Sequence, residues 1–201
     1  MSIKRGYSTN PLEHMALAEV YSQIFQEDIG VIILFCSSNY NINNLSTQIK
    51  QLMGHHLVFA CTTAGEICST GYINNSISGV SISTKMAKFH FIGIPNISDF
   101  NLDRAEKIAT DFKSNNSNFL INPSKFVGLL LIDGLSKVED KFIYSISKSF
   151  YPMEIIGGSS GDDLKLENTY VFNQEKFVTN YAALLIIETD IPYFTFKIHN
   201  F

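Results

Sequence analysis

Tryptophan is absent from the 201 residues, cysteine occurs three times, and charged side chains make up only 17% of the chain. Cys36, Cys61 and Cys68 are an odd number without a CxxC, and they fall in or beside strand-like runs, which excludes a disulfide framework and predicts buried, reduced thiols. The absence of CxxCH excludes covalent c-type haem attachment. No stretch approaches the roughly 18 apolar residues of a membrane span. The start, MSIKRGYSTNPLEHMALAEV, has no continuous apolar segment of a signal peptide, so a cytoplasmic protein that does not cross or bind a membrane is expected. Fifteen Lys and Arg are scattered against nineteen Asp and Glu, giving a net charge of −4, and such a chain offers nucleic acid no basic footprint. Neither GxxxxGK[ST] nor GxGxxG is present, which removes the P-loop and the dinucleotide fingerprint.

What the chain has is 45% apolar residues, enough to bury a sizeable core. NPLEHMALAEVYSQIF, with Asn10 as cap, Pro11 at the first helical position and Leu12, Ala16, Val20 and Ile24 four apart, predicts a helix. GVIILFC is a short aliphatic run of the kind covered on both faces, INNLSTQIKQLM is an amphipathic helix, and HLVFACTT a second buried strand. Together they predict a βαβ unit with parallel strands. SISGVSIST and KFHFIGI, separated by KMA, read as an antiparallel hairpin. NLDRAEKIATDF is a helix, and the Asn- and Ser-rich Lys113 to Lys125 reads as a linker.

The order then restarts with the strand FVGLLLIDG, the helix KVEDKFIYSISKSF, the strand-and-turn MEIIGGSSGDD and a hairpin in TYVFNQEKFVTNYAALLIIET. An offset of 97 residues lays Ile32–Phe35 on Leu129–Ile132, Leu45, Ile49 and Met53 on Phe142, Ile146 and Phe150, and Cys61–Ile67 on Gly158–Leu164. The predicted fold is therefore α/β, a mixed sheet built from two similar βαβ-plus-hairpin repeats related by a pseudo-twofold. TTAGEI and SSGDDL become equivalent turns at the carboxyl ends of strands, where open α/β sheets seat ligands.

CTTAGEI with GY after it, LLLIDGLSKVED, IIGGSSGDDL, and NTYVF followed by AALLIIE resemble the N-terminal half of the FIST sensory domain. The resemblance spans about Gly30 to Thr189. It implies a cytoplasmic signalling module that perceives a small-molecule ligand, and some bacterial members of the family bind haem, sense nitric oxide and work with a histidine kinase or a cyclic-di-GMP enzyme. On this reading 1–29 is an N-terminal helical segment and 30–189 the FIST N-type domain, with repeats of about 30–94 and 126–189. Residues 190–201 start a strand leading to an absent C-terminal half. The alternation in Tyr193 to Ile198 predicts an apolar strand edge and self-association into a homo-oligomer.

The candidate ligand-binding residues are Thr62, Thr63, Gly65 and Glu66 in the first turn, Asp133 after the strand FVGLLLI, and Gly157, Gly158, Ser159, Ser160, Gly161, Asp162 and Asp163 in the second. Their glycines permit close approach, and their hydroxyls, amides and carboxylates suit a polar ligand; tight strand exits with acid caps are the plainer alternative. Glu66, Asp133, Asp162 and Asp163 are also the oxygen set that a hard cation would use if they converge. GGSSG matches G-x-S-x-G around Ser159, so a hydrolase with Ser159 or Cys61 as nucleophile is a competing expectation, although the turn leads to the strand TYVF rather than to a helix and no base is identifiable. A protein-interaction module without a small ligand is a third. His14, His55, His56, His90 and His199 are the available haem ligands, and no pattern singles one out.

Overall fold

The structure, a computed structural model, describes residues 2–196. It is a mixed α/β fold in four layers. The strands are β1 (Ile3–Ser8), β2 (Ile29–Ser37), β3 (Val58–Thr63), β4 (Glu66–Cys68), β5 (Gly71–Ile73), β6 (Ile77–Ser83), β7 (Lys88–Pro95), β8 (Phe126–Ile132), β9 (Glu154–Ser159), β10 (Val171–Phe172), β11 (Phe177–Val178) and β12 (Tyr181–Glu188). The helices are α1 (Glu13–Ile24), α2 (Ile42–Met53), α3 (Leu102–Asn115), α4 (Ser117–Ile121) and α5 (Glu139–Phe150). One sheet runs β1-β6-β2-β3-β10-β11, the second β7-β12-β8-β9, and β4-β5 form a small hairpin. No described helix is long and apolar enough to cross a membrane.

Alternating side chains explain the layers. Ile32 and Leu34 of β2, with Val58 and Ala60 of β3, pack against Leu17, Val20, Leu45 and Ile49 of α1 and α2. Leu130 and Ile132 of β8 pack against Ala109, Phe142 and Ile146 of α3 and α5. Val31, Ile33, Phe59 and Cys61 meet Leu131, Ala183 and Leu185 between the sheets. β2, β8 and β12 are thus covered on both faces, which is why their sequences read as continuous aliphatic runs.

The sets β1-β6-β2-β3 and β7-β12-β8-β9 share one strand order, and in each the second pair is antiparallel and the third parallel. The gap-free offset of 97 does not survive in the strands. It lays Ile32, which faces the helices, on Leu129, which faces the opposite sheet. Side chains alternate with period two, and the helix-facing residues of β2 and β8 are both even-numbered, so the odd offset reverses every face there, while it keeps the faces of β3 against β9, where Val58 and Ile155 both face helices, and the buried stripe of α2 against α5.

Three expectations are corrected. SISGVSIST and KFHFIGI are not a hairpin: β6 pairs with β1 and β2, and β7 pairs with β12, because the KMA turn carries the chain from one sheet to the other. Lys113 to Lys125 is not a linker but the end of α3, then α4 and a 3-10 turn, anchored by the buried Phe119. Helix α1 is flanked by Leu12, and the Asn10 side chain instead accepts from the Leu12 N–H two residues earlier than a cap would. In the tail, 193–196 are not in a strand, and Lys197 and Ile198 lie outside the described residues.

Candidate functional site

β2 and β3 are parallel with Ser37 opposite Thr63, and β8 and β9 are parallel with Ile132 opposite Ser159. Their carboxyl ends meet at one seam. Gly161 N–H donates to the Thr62 carbonyl at 2.9 Å, and a Cβ on Gly161 would lie 3.1 Å from the Ala64 nitrogen. Thr62 is fully buried, exchanging backbone and side-chain hydrogen bonds with Tyr170 at 3.0 Å. Gly65 adopts φ +120°, and its missing side chain leaves room for the Tyr72 ring, whose hydroxyl donates to the Ala64 carbonyl at 2.8 Å. The mouth of the seam is polar: Asp163 accepts from Ser38 at 3.3 Å and from Asn39 at 3.0 Å, and Lys165 donates to Asn39. Ser38, Asn39 and Lys165 were not among the candidates; the hydroxyl- and amide-rich SSN after β2 was the signal for the first two.

The four acids do not converge, and among the described residues no group of three or more His, Cys, Asp or Glu could hold a metal ion. Each acid instead has local donors. Asp133 is buried and accepts from the Leu135 N–H, the Thr169 hydroxyl and the Asn180 N–H. Asp162 is buried and accepts from the N–H groups of Leu166, Glu167 and Asn168. Burial opposes ionisation of Asp162, and those three donors outweigh it and hold the carboxyl below its ordinary range.

Glu66 is the exception. Burial pushes its carboxyl up, against the pull of the Ser76 and Thr63 hydroxyls that donate to it. A carboxyl raised in the folded state is protonated in both states at low pH, and stability falls as pH climbs from the unfolded to the folded pKa, where only the unfolded chain ionises. Wild type should therefore lose stability relative to Glu66→Gln between acidic and neutral pH, measured by urea unfolding at each pH. A difference that runs the other way would show that the hydroxyls, not burial, dominate.

The glycines of GGSSG differ sharply. A Cβ on Gly157 would lie 2.0 Å from the Leu130 carbonyl oxygen of β8, whereas one on Gly158 meets nothing within 4 Å. A side chain at Gly158 therefore does not meet the opposite turn; the close approach across the seam belongs to Gly161. Gly157→Ala should cost about 2 kcal/mol of overpacking, and Gly158→Ala less than about 0.5 kcal/mol, by the same unfolding assay. Ser160 is buried and fixed to the β8 end: its N–H donates to the Ile132 carbonyl at 2.8 Å and its hydroxyl accepts from Gly134.

For nucleophilic chemistry the surroundings are poor. The hydroxyl of Ser159 donates to the Glu139 carboxylate, and the chain beyond it continues as a loop rather than the helix of a nucleophile elbow. Burial pushes the Cys61 thiol up to about 12, so it stays protonated.

Clefts lie elsewhere. One of about 530 Å³ at the other end of the sheets is lined by Lys85, Lys88, Lys125 and Glu188, with Lys88 and Glu188 3.6 Å apart. Another of about 470 Å³ is lined by His90, Ile92, Ile108 and Phe112. The residues present do not fit haem. His90 Nε2 is engaged by Glu188 at 3.4 Å with its ring edge-on to Phe112, and His56 Nε2 is engaged by the Tyr21 hydroxyl at 3.2 Å. His14 and His55 are exposed, and His199 lies outside the described residues. None of the four described imidazoles faces an enclosed apolar slot with a free nitrogen, the arrangement an axial ligand needs.

Comparison with known families and proteins complements this geometry. The family model described as FIST N domain matches residues 30–201. No curated protein matches the chain.

Proposed function

The chain belongs to the FIST N domain family, whose members are sensory, ligand-binding domains, and from that premise we propose that it is a cytoplasmic small-ligand sensor read out at the seam between its two sheets. The observation that carries the proposal is the Gly161–Thr62 hydrogen bond, which joins the turn after β9 to the carboxyl end of β3. Around it, the Asp163, Ser38, Asn39 and Lys165 side chains offer a small polar ligand both donors and acceptors without deep burial. A ligand that replaces those contacts in one arrangement of the sheets and not in another biases the balance between them, which is all that sensing requires. The two repeats, in this reading, are related by a pseudo-twofold that brings the equivalent turns together. A histidine kinase or a cyclic-di-GMP enzyme is the class of partner that would receive the change, and no turnover is involved.

Haem-based nitric oxide sensing is a narrower form of the proposal, and the occupied histidines weigh against it. The experiment is a titration of the isotopically labelled protein, followed through its amide signals, with a panel of small polar metabolites and, separately, with haem. Shifts confined to Ser38, Asn39, Thr62, Gly161 and Asp163, and lost in Asp163→Asn, are expected. Saturable binding whose shifts lie on His90 and Phe112, or a stoichiometric Soret band from residues 1–201, would move the site away from the seam.

A further inference from the structure

The two parallel pairs are covered unequally. β3 has β2 on one edge and the β10–β11 hairpin on the other, with Val171 opposite Cys61, and it is buried along nearly all its length. β9 holds the corresponding place in the second sheet, yet among the described residues no strand pairs with its outer edge, and most of it is exposed. Ile156 is 49% exposed, and the space beside Gly158 is open. A bare edge with an open apolar face is a template for another strand.

We propose that this edge is a homodimer interface in which β9 pairs antiparallel with β9 of a second copy, across a twofold axis that runs perpendicular to the sheet midway between the two Gly157 residues. The register follows from the backbone. Ser160 N–H donates to the Ile132 carbonyl of β8 at 2.8 Å. Successive residues of a strand turn their N–H and C=O groups to opposite edges. Ile156 and Gly158 therefore turn theirs to β8, while Ile155, Gly157 and Ser159 present theirs outward.

A perpendicular twofold sets the central residue opposite its own copy. With Gly157 opposite the partner's Gly157, Ile155 stands opposite the partner's Ser159, and the outward groups of all three residues are hydrogen-bonded. Ile156 then faces the partner's Gly158 in a non-hydrogen-bonded pair, with both side-chain positions on one face of the sheet. Each isoleucine lies over the space that a glycine leaves open, twice by symmetry. Centring the pair on Ile156 would set the isoleucines against each other and place the charged Glu154 of the second copy, rather than an isoleucine, opposite Gly158.

This self-complementarity is what favours a second copy over a foreign strand: EIIGGS is bulky at its start and small toward its end, so antiparallel self-pairing places bulk on void. Charge agrees, because Glu154, the one charged residue of β9, falls opposite the partner's Ser160 rather than another carboxylate. The tail adds apolar surface at the same edge, since Thr195 donates to Glu154 while Phe194 and Phe196 are exposed.

In a Cys68→Ser background, which leaves only the buried Cys36 and Cys61 as native thiols, the double variant Ile156→Cys/Gly158→Cys should form an interchain disulfide dimer on mild oxidation. A non-hydrogen-bonded pair holds its Cα atoms about 4.5 Å apart, within disulfide reach, and neither single variant should cross-link. Sedimentation should show a concentration-dependent dimer for wild type, weakened at least about tenfold by Ile156→Lys, with the melting curve of the dilute protein unchanged because Ile156 is half-exposed. A wild-type monomer from micromolar to millimolar concentration, a dimer indifferent to Ile156→Lys, or cross-linking by Ile156→Cys alone would overturn the proposal.

Discussion

Replacing Asp133 with alanine should lower the unfolding free energy by about 4 kcal/mol, because a buried acceptor of three hydrogen bonds disappears and its donors are left without a partner. The Leu135 N–H at 3.1 Å, the Thr169 hydroxyl and the Asn180 N–H at 2.5 Å all converge on this carboxylate. It ties the end of β8 to the approach to β10 and to the entry of β12. Asp133→Asn keeps one acceptor oxygen and should cost about half as much, roughly 2 kcal/mol. Urea unfolding of the two variants checks the ranking; equal and small losses would mean that water replaces the carboxylate without penalty. The same outcome would return Asp133 to the list of residues available to a ligand.

The other large loss is expected at Phe119. Its ring is buried among Phe112, Phe126 and Phe150, with centroids 5.6, 5.1 and 6.4 Å away, and Lys113 lies over its face. Phe119→Ala should cost about 4 kcal/mol, the usual range for emptying a packed aromatic site. Its neighbour Leu120 is exposed, and Leu120→Ala should change stability by less than about 0.5 kcal/mol. A small effect at Phe119 would mean that α4 is a detachable surface segment, as its composition suggests.

That contrast shows what could be read from the chain and what could not. Asn- and Ser-rich Lys113 to Lys125 reads as a linker because one phenylalanine among polar residues carries no periodicity, and its packing partners Phe112, Phe126 and Phe150 come from three other elements. The aliphatic runs of β2, β8 and β12 were legible, since cover on both faces leaves no polar alternation. β1, IKRGYS, was hidden within an expected helical segment, because an edge strand with Lys4 and Arg5 exposed lacks the signature of burial. Without it β6 had no visible second neighbour, and the nearest strand in sequence, β7, was wrongly supplied as its partner. At the site, the position of both turns at strand ends could be inferred from the order of elements. The role of Asp133 could not, because two of its donors lie 36 and 47 residues further along the chain.

The reach of β10 into the first sheet bears on how the chain is made. β3 obtains its outer neighbour only from residues 171–172, and the inner faces of both sheets are buried only against each other. As the polypeptide emerges from the ribosome, β1 to β6 therefore expose Val31, Ile33, Phe59 and Cys61 until the second half has followed, and neither half has a complete core of its own. The two halves are interlocked rather than strung together. They acquire their native structure as one cooperative unit, which defers commitment until nearly the whole chain has been synthesised.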